Sequence, residues 1–193
     1  LLPRRDVDAQ TNTVADLFNR LGITASHPYI NDHSVTSPAF GEVCCFSGSY
    51  SVIYLNSIVG ARSNYEAGPS GLAALFTGRI PRYGFHLDAQ RKGTDAFKLT
   101  FRPGDLCEWG AVGAVIGRRL NSYWRVPAIE VPGPKPSILE LNHLGLNLAS
   151  YGSHAMFHVI GATPEAPDWH TACGGRPPTP DEIPARPATA RNG

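Results

Sequence analysis

The sequence predicts an α/β protein, with mixed or parallel sheet segments flanked by helices. Three observations carry this. Residues 97–101 alternate apolar and polar with the two-residue period of a half-buried strand. A helical pattern follows, with Trp109, Val112 and Ile116 on one side. Residues 126–131 and 155–160 read as further strands, separated by a helix that begins at Ser137. Strands that alternate with helices in this way are the pattern of parallel pairing.

In chain order, residues 10–21 form the first helix candidate. Val14, Leu17, Phe18 and Leu21 recur at i, i+3, i+4 and i+7, with Thr11 or Thr13 as cap and Gly22 as stop. Ile23-Thr24-Ala25 is a short strand candidate, and residues 26–38 are polar and read as a loop. Residues 41–58 are expected to be mainly helical. Val52 to Leu55 suit a strand by composition, yet Leu55, Ile58 and Val59 keep helical spacing. A polar turn over residues 60–69 leads into the next helix. Pro69 suits its first position, Leu72, Leu75 and Phe76 give its apolar face, and Gly78 ends it.

After the strand at 97–101, Asp105 is placed to cap a helix that runs to about Arg119. Gly110, Gly113 and Gly117 would allow a close neighbour, and Arg118 and Arg119 suit its negative end. Ser137 and Glu140 have capping-box spacing, and Leu141, Leu144, Leu148 and Ala149 form the apolar side behind them. From residue 161 proline and glycine recur. The last eighteen residues hold five of the 17 prolines, so this end reads as a linker or a cut end.

The 193 residues are enough for one domain with a real core. A net charge of +1 gives no electrostatic footprint for nucleic acid or an anionic membrane. No apolar run approaches the ~20 residues of a membrane helix. The N-terminus lacks a signal-peptide pattern, which predicts a cytoplasmic protein. The first residue is leucine, as expected of a piece of a longer protein. Cys44, Cys45, Cys107 and Cys173 show no CxxC or Cys/His ligand spacing, so they are expected to be reduced and mostly buried.

The chemistry concentrates at the polar turn. Arg62, Ser63, Asn64 and Glu66 fall within five positions, just before a predicted helix N-terminus. Such a terminus binds carboxylate or phosphate, and an arginine adds a bidentate clamp. Asn64 and Glu66 are suited to fixing a hydroxyl or orienting a metal-bound group. An ordinary capped turn uses the same residue types, and the two readings weigh evenly. Ser47, Ser49, Ser51 and Ser57 lie in no G-x-S-x-G elbow. No Walker or GxGxxG loop occurs. His86, just before Asp88, is an acid/base candidate, with a structural role favoured. His27 and His33 do not have a recognised ligand spacing, and His154 and His158 are expected in the core.

Several ordered blocks carry a family resemblance. They are Phe40-Gly41-Glu42, Asn56-Ser57, Gly60-Ala61-Arg62-Ser63-Asn64-Tyr65-Glu66, Gly68-Pro69-Ser70, Thr77-Gly78-Arg79, Tyr83-Gly84-Phe85-His86-Leu87 and Thr163-Pro164-Glu165-Ala166-Pro167. Together, over about residues 10–178, they resemble the catalytic large domain of the aconitase X family. The resemblance implies an incomplete aconitase-like large domain, with residues 1–178 its middle part and 179–193 a Pro-rich linker or truncated end. It implies a hydro-lyase that dehydrates small hydroxylated acids, notably cis-3-hydroxy-L-proline and mevalonate 5-phosphate. It also implies an iron–sulfur cluster or iron held by three cysteines, and a smaller swivelling domain, fused or separate.

By the same resemblance Arg62, Ser63, Asn64 and Glu66 are catalytic, Asn56, Ser57, Gly68 and His86 bind substrate, and Ser26 stands at a metal-ligand position. There the family has C-x-P-Y and this chain has Ser26-His27-Pro28-Tyr29. Serine is a poor substitute for a thiolate, which argues against a conventional three-cysteine cluster. Phe46 and Gly48 stand where the family shows W-x-E, and its remaining cysteines lie beyond the TPEAP segment. Two alternatives to a dehydratase follow: a diverged non-catalytic subunit or scaffold, and a metal-independent isomerase or racemase.

Overall fold

A computed structural model describes residues 4–22, 38–66, 68–175 and 177–185. The chain divides into two compact units between Ser37 and Pro38. In the first, helix α1 spans Arg4–Arg20 and starts earlier than the expected caps at Thr11 or Thr13. The Thr13 hydroxyl instead donates to the Ala9 carbonyl at 2.9 Å, a mid-helix bond. Gly22, at φ 72°, follows the helix as expected. The strand candidate at 23–25 and the loop with Ser26, His27 and His33 lie outside the described residues.

The second unit is built on a parallel sheet. Its strands are β1 (Asp95–Leu99), β2 (Pro127–Glu130), β3 (His158–Val159) and β4 (Asp181–Ile183), in the order β3-β2-β1-β4. Helix α4 (Leu106–Leu120) connects β1 to β2, and α5 (Ile138–Gly152) connects β2 to β3. The expected caps are present. Asp105 accepts from the Glu108 amide, and Ser137 with Glu140 closes a capping box.

The glycines of α4 set the distance to α5. A Cβ at Gly113 would lie 2.4 Å from the Leu144 carbonyl oxygen, and one at Gly152 equally close to the Gly117 carbonyl. Trp109, Ile116, Leu144 and Leu148 then fill the layer against Phe97, Leu99, Ile129 and Val159 of the sheet. Full burial of such side chains stabilises by about 1.5–3 kcal/mol each. Ile53 joins this core from helix α2 (Ser49–Tyr54).

Three expectations are corrected. The helix predicted over 41–58 starts only at Ser49, and residues 43 and 46 pair with an extended segment instead. The strand predicted over 155–160 is paired only at His158–Val159. Its preceding backbone is satisfied by side chains: Asn56 donates to the Ala155 carbonyl at 2.9 Å, and Ser57 Oγ accepts from the Phe157 amide at 2.9 Å. The stretch beyond residue 161 also carries regular structure. It contains a short helix at Trp169–Cys173, and β4 pairs with β1 inside the expected linker. Apolar Ile183 supplies the burial that the proline count concealed.

The cysteines are free but not mostly buried: Cys107 is exposed and the other three are half-buried. Among the described residues no helix is long and apolar enough to cross a membrane.

Candidate active site

The helix α2 ends in a π-helical turn, Leu55–Val59, closed by Gly60 in the left-handed region at φ 79°. A Cβ at Gly60 would strike the Phe40 ring at 2.5 Å, so both backbone and space require glycine. The wide turn aims Asn56 and Ser57 inward, where both are buried. Asn56 Nδ2 donates to the Ser63 carbonyl at 2.8 Å, and the Ser63 amide donates to Asn56 Oδ1 at 2.9 Å.

Residues 61–66 are therefore held extended rather than as a turn. Arg62 bridges to Val43 and Tyr65 to Phe46, both in parallel. An extended backbone sends alternate side chains to opposite faces. Arg62, Asn64 and Glu66 all turn toward the YGFHLD segment. Arg62 donates to the His86 carbonyl at 2.9 Å and pairs with the Asp88 carboxylate. Asn64 donates to the Tyr83 carbonyl at 3.1 Å and accepts from the Phe85 amide at 2.9 Å. Glu66 accepts from the Tyr83 hydroxyl at 3.2 Å and from the Ser70 hydroxyl at 3.0 Å.

The opposite face is internal. Ser63 Oγ accepts from the Phe46 amide at 3.2 Å and donates to the Asn64 carbonyl at 3.0 Å. The Tyr65 hydroxyl donates to the His154 carbonyl. The Tyr123 hydroxyl accepts from the Tyr65 amide and donates to Asn64, each at 3.2 Å. Burial pushes the Tyr123 phenol up to about 12. The predicted residues thus fall into two sets. Asn56, Ser57, Ser63 and Asn64 are buried and bond mainly to the backbone. Arg62, half-buried, and Glu66, itself buried, carry the charged groups. His86 is buried, with its ring Nδ1 3.0 Å from the Pro81 carbonyl.

Gly68 opens helix α3 (Gly68–Thr77), where it is exposed with open space at its Cβ position. The helix start already faces a protein carboxylate, Glu66, through Ser70. Glu66 also acts on its neighbours. The Tyr83 phenol is raised by burial first and then by the charge and hydrogen bond of Glu66. The Cys45 thiol is raised by burial and then by Glu66.

Arg91 and Glu165 were not singled out from the sequence. Arg91 is wholly buried and donates to the Asn56 carbonyl at 2.9 Å, to Asn56 Oδ1 at 3.2 Å and to the Phe85 carbonyl at 2.9 Å. Its Nε pairs with Glu165 Oε1 at 2.8 Å. Glu165 lies in the TPEAP segment and Arg91 just after YGFHLD, so both sat in or beside the blocks quoted above. No spacing rule relates positions so far apart.

Comparison with known proteins follows the same blocks. The profile of the aconitase X first domain matches residues 2–89, and that of the aconitase X second domain matches residues 85–190. The chain belongs to the aconitase X family. Among curated relatives of the aconitase X chain, the phosphomevalonate dehydratase large subunit of Thermococcus kodakarensis is 34% identical over 152 residues, 79% of this chain and 39% of that protein. The cis-3-hydroxy-L-proline dehydratase of Pseudomonas aeruginosa is 35% identical over 165 residues, 78% of this chain and 26% of that protein. The crystal structure of Thermococcus kodakaraensis aconitase X in its holo-form superposes with a TM-score of 0.79 at 29% identity, covering 96% of this chain and 45% of that one. The chain thus spans between 26% and 45% of the length of these relatives.

The family resemblance implies iron or an iron–sulfur cluster. Among the described residues no group of three or more His, Cys, Asp or Glu is placed to hold a metal. Burial, then Glu42 and Cys45, pushes the Cys44 thiol up to about 11. Ser26 lies outside the described residues. The described residues do not fit a cluster by themselves.

Proposed function

We propose that this chain is the middle part of the catalytic large domain of an aconitase X-type dehydratase. It acts on a small hydroxylated carboxylic acid such as cis-3-hydroxy-L-proline. The observation that carries this is the shared face of Arg62 and Glu66 on the segment at 61–66, within a chain matched by both aconitase X profiles. The names of the relatives point to one substrate chemistry. Both 3-hydroxyproline and phosphomevalonate carry a hydroxyl on the carbon β to a carboxylate.

Such a substrate needs its carboxylate held and its α-proton removed. Arg62 offers the planar cationic fork that matches a carboxylate. Glu66 is the candidate base: it takes the α-proton, the Cα–H electron pair becomes the new double bond, and the β-hydroxyl leaves with the C–O bonding pair, taking the proton back from the Glu66 carboxylic acid to depart as water. Buried Asn56, Ser63 and Asn64 hold the backbone from which both side chains project. A small second domain or subunit completes the enzyme, in keeping with relatives named as large subunits.

The test is dehydration of cis-3-hydroxy-L-proline and of mevalonate 5-phosphate by the full-length protein with its partner. We expect turnover of one of them, and a loss of well over tenfold in kcat/KM for Arg62→Ala. Exchange of the α-proton from deuterated water without dehydration would replace this reading with an isomerase or racemase. No chemistry on either acid would leave a non-catalytic subunit.

A further inference from the structure

We propose that Asp88 is a resident carboxylate on Arg62 that the substrate carboxylate must displace, and so sets how tightly this site takes small acids. The inference rests on Arg62 as the carboxylate clamp and deepens that reading. Arg62 has one partner on each terminal nitrogen. One terminal nitrogen donates to the His86 carbonyl at 2.9 Å, which anchors that end of the guanidinium. The other terminal nitrogen meets Asp88. An arginine has five N–H groups, and those left over have no protein acceptor among the described residues. The backbone bond therefore orients the fork without exhausting it.

The two partners differ in freedom. The Arg62 side chain is 21% exposed, whereas that of Asp88 is 80% exposed. Asp88 can leave the pair with its hydration already in place. Arg62 cannot turn away without giving up the His86 carbonyl. Departure of Asp88 uncovers a cationic donor edge of the geometry that a carboxylate fills with two parallel bonds. The Asp88 carboxyl is held below its usual range, by the hydrogen bond and charge of Arg62 first and by Lys92 and Arg91 after. It is thus ionised at neutral pH and competes as a carboxylate, not as a neutral acid. Like Glu66 and Asn64, Arg62 is bound to the YGFHLD segment, so the competitor is built into the same loop that shapes the site.

The experiment is calorimetric titration of the full-length protein with cis-3-hydroxy-L-proline and, separately, mevalonate 5-phosphate. It compares the native protein with Asp88→Asn, and both in an Arg62→Gln background. An exposed ion pair is weak, so the expected gain is modest. Asp88→Asn should bind one of the two acids roughly two- to fivefold tighter, and the gain should vanish with Arg62→Gln. Unchanged or weaker binding in Asp88→Asn overturns the proposal, as does an equal gain without Arg62. No binding of either acid by native protein or Asp88→Asn overturns it too. Failure of the dehydratase reading looks different: binding tightens as expected while neither acid is turned over.

Discussion

The side-chain amide of Asn56 pairs with the backbone of Ser63 as a neighbouring strand would. It donates to the carbonyl at 2.8 Å and accepts from the amide at 2.9 Å. The same Nδ2 reaches the Ala155 carbonyl, and Arg91 donates to the same Oδ1. One buried amide thus connects the segment bearing Arg62 and Glu66 to the approach to β3. Asn56→Ala would leave several of these groups unpaired in the interior. At about 1–3 kcal/mol for each buried group left unsatisfied, we expect a loss of about 3 kcal/mol. Urea unfolding should show a lower midpoint with an unchanged slope. A loss below half of that would mean that water replaces the amide.

Arg91 makes a related prediction about charge. Its side chain is fully buried, while that of Glu165 is 17% exposed. Glu165→Ala would strand a guanidinium inside the protein, at about 3–5 kcal/mol. The pair between Lys98 and Glu130 is exposed on both sides, at 51% and 41%, and its removal should change stability by less than about 1 kcal/mol. Thermal unfolding of Glu165→Ala beside Lys98→Ala checks the contrast, since Glu130 also accepts from Trp169 and Lys98→Ala removes only the exposed pair. Equal effects would remove Arg91 as an organising residue.

Much of the fold was legible because it is local. The Asp105 cap, the Ser137–Glu140 box and the apolar stripe of α4 each depend on neighbours within one or two turns. Parallel pairing followed from the alternation of elements. The site was legible as a concentration of residue types and, through the family blocks, as a set of positions. Its geometry was not. The segment at 61–66 is extended because Val43 and Phe46 offer it a strand partner and Asn56 clasps it from behind, and both relations are tertiary. The same cause shortened β3, since Asn56 and Ser57 took over backbone groups that a sheet would have used. β4 hid among prolines because three residues with a single buried side chain give no period to detect.

The contact of α4 with α5 gives a prediction about volume. Gly113 faces the Leu144 carbonyl so closely that a methyl group would stand 2.4 Å from it. Backbone cannot yield as a side-chain tip can. Gly113→Ala gains helix propensity by up to about 1 kcal/mol, yet the overlap should outweigh it by about 1–3 kcal/mol. Gly104, whose nearest neighbour is a flexible Glu108 carboxylate at 3.6 Å, supplies the control and should accept alanine with little change. The sign of the change in the denaturant midpoint of Gly113→Ala decides between helix propensity and packing.

His154 and His158 give the pH dependence. Both are buried, with His154 Nδ1 2.8 Å from the Arg125 carbonyl and His158 Nε2 2.7 Å from the Arg91 carbonyl. Among the described residues the second ring nitrogen of His158, Nδ1, has no hydrogen-bond partner. Burial lowers both from the ordinary value of 6.5. The sign follows from which state holds the proton. Below that value the unfolded chain binds protons at these two positions that the folded chain refuses, so stability falls as pH drops. Above it both states are neutral there and the two histidines contribute no slope. Urea midpoints measured from pH 8 to pH 5 should therefore be flat at first and then decline below about pH 6.5. His154→Gln keeps a donor for the Arg125 carbonyl and cannot titrate, so its decline should be shallower than that of the native protein. The variant will be somewhat less stable at pH 8, because glutamine fills the ring's volume poorly. The slope and not the offset is the decisive quantity, and an unchanged slope would assign the acid sensitivity to other groups.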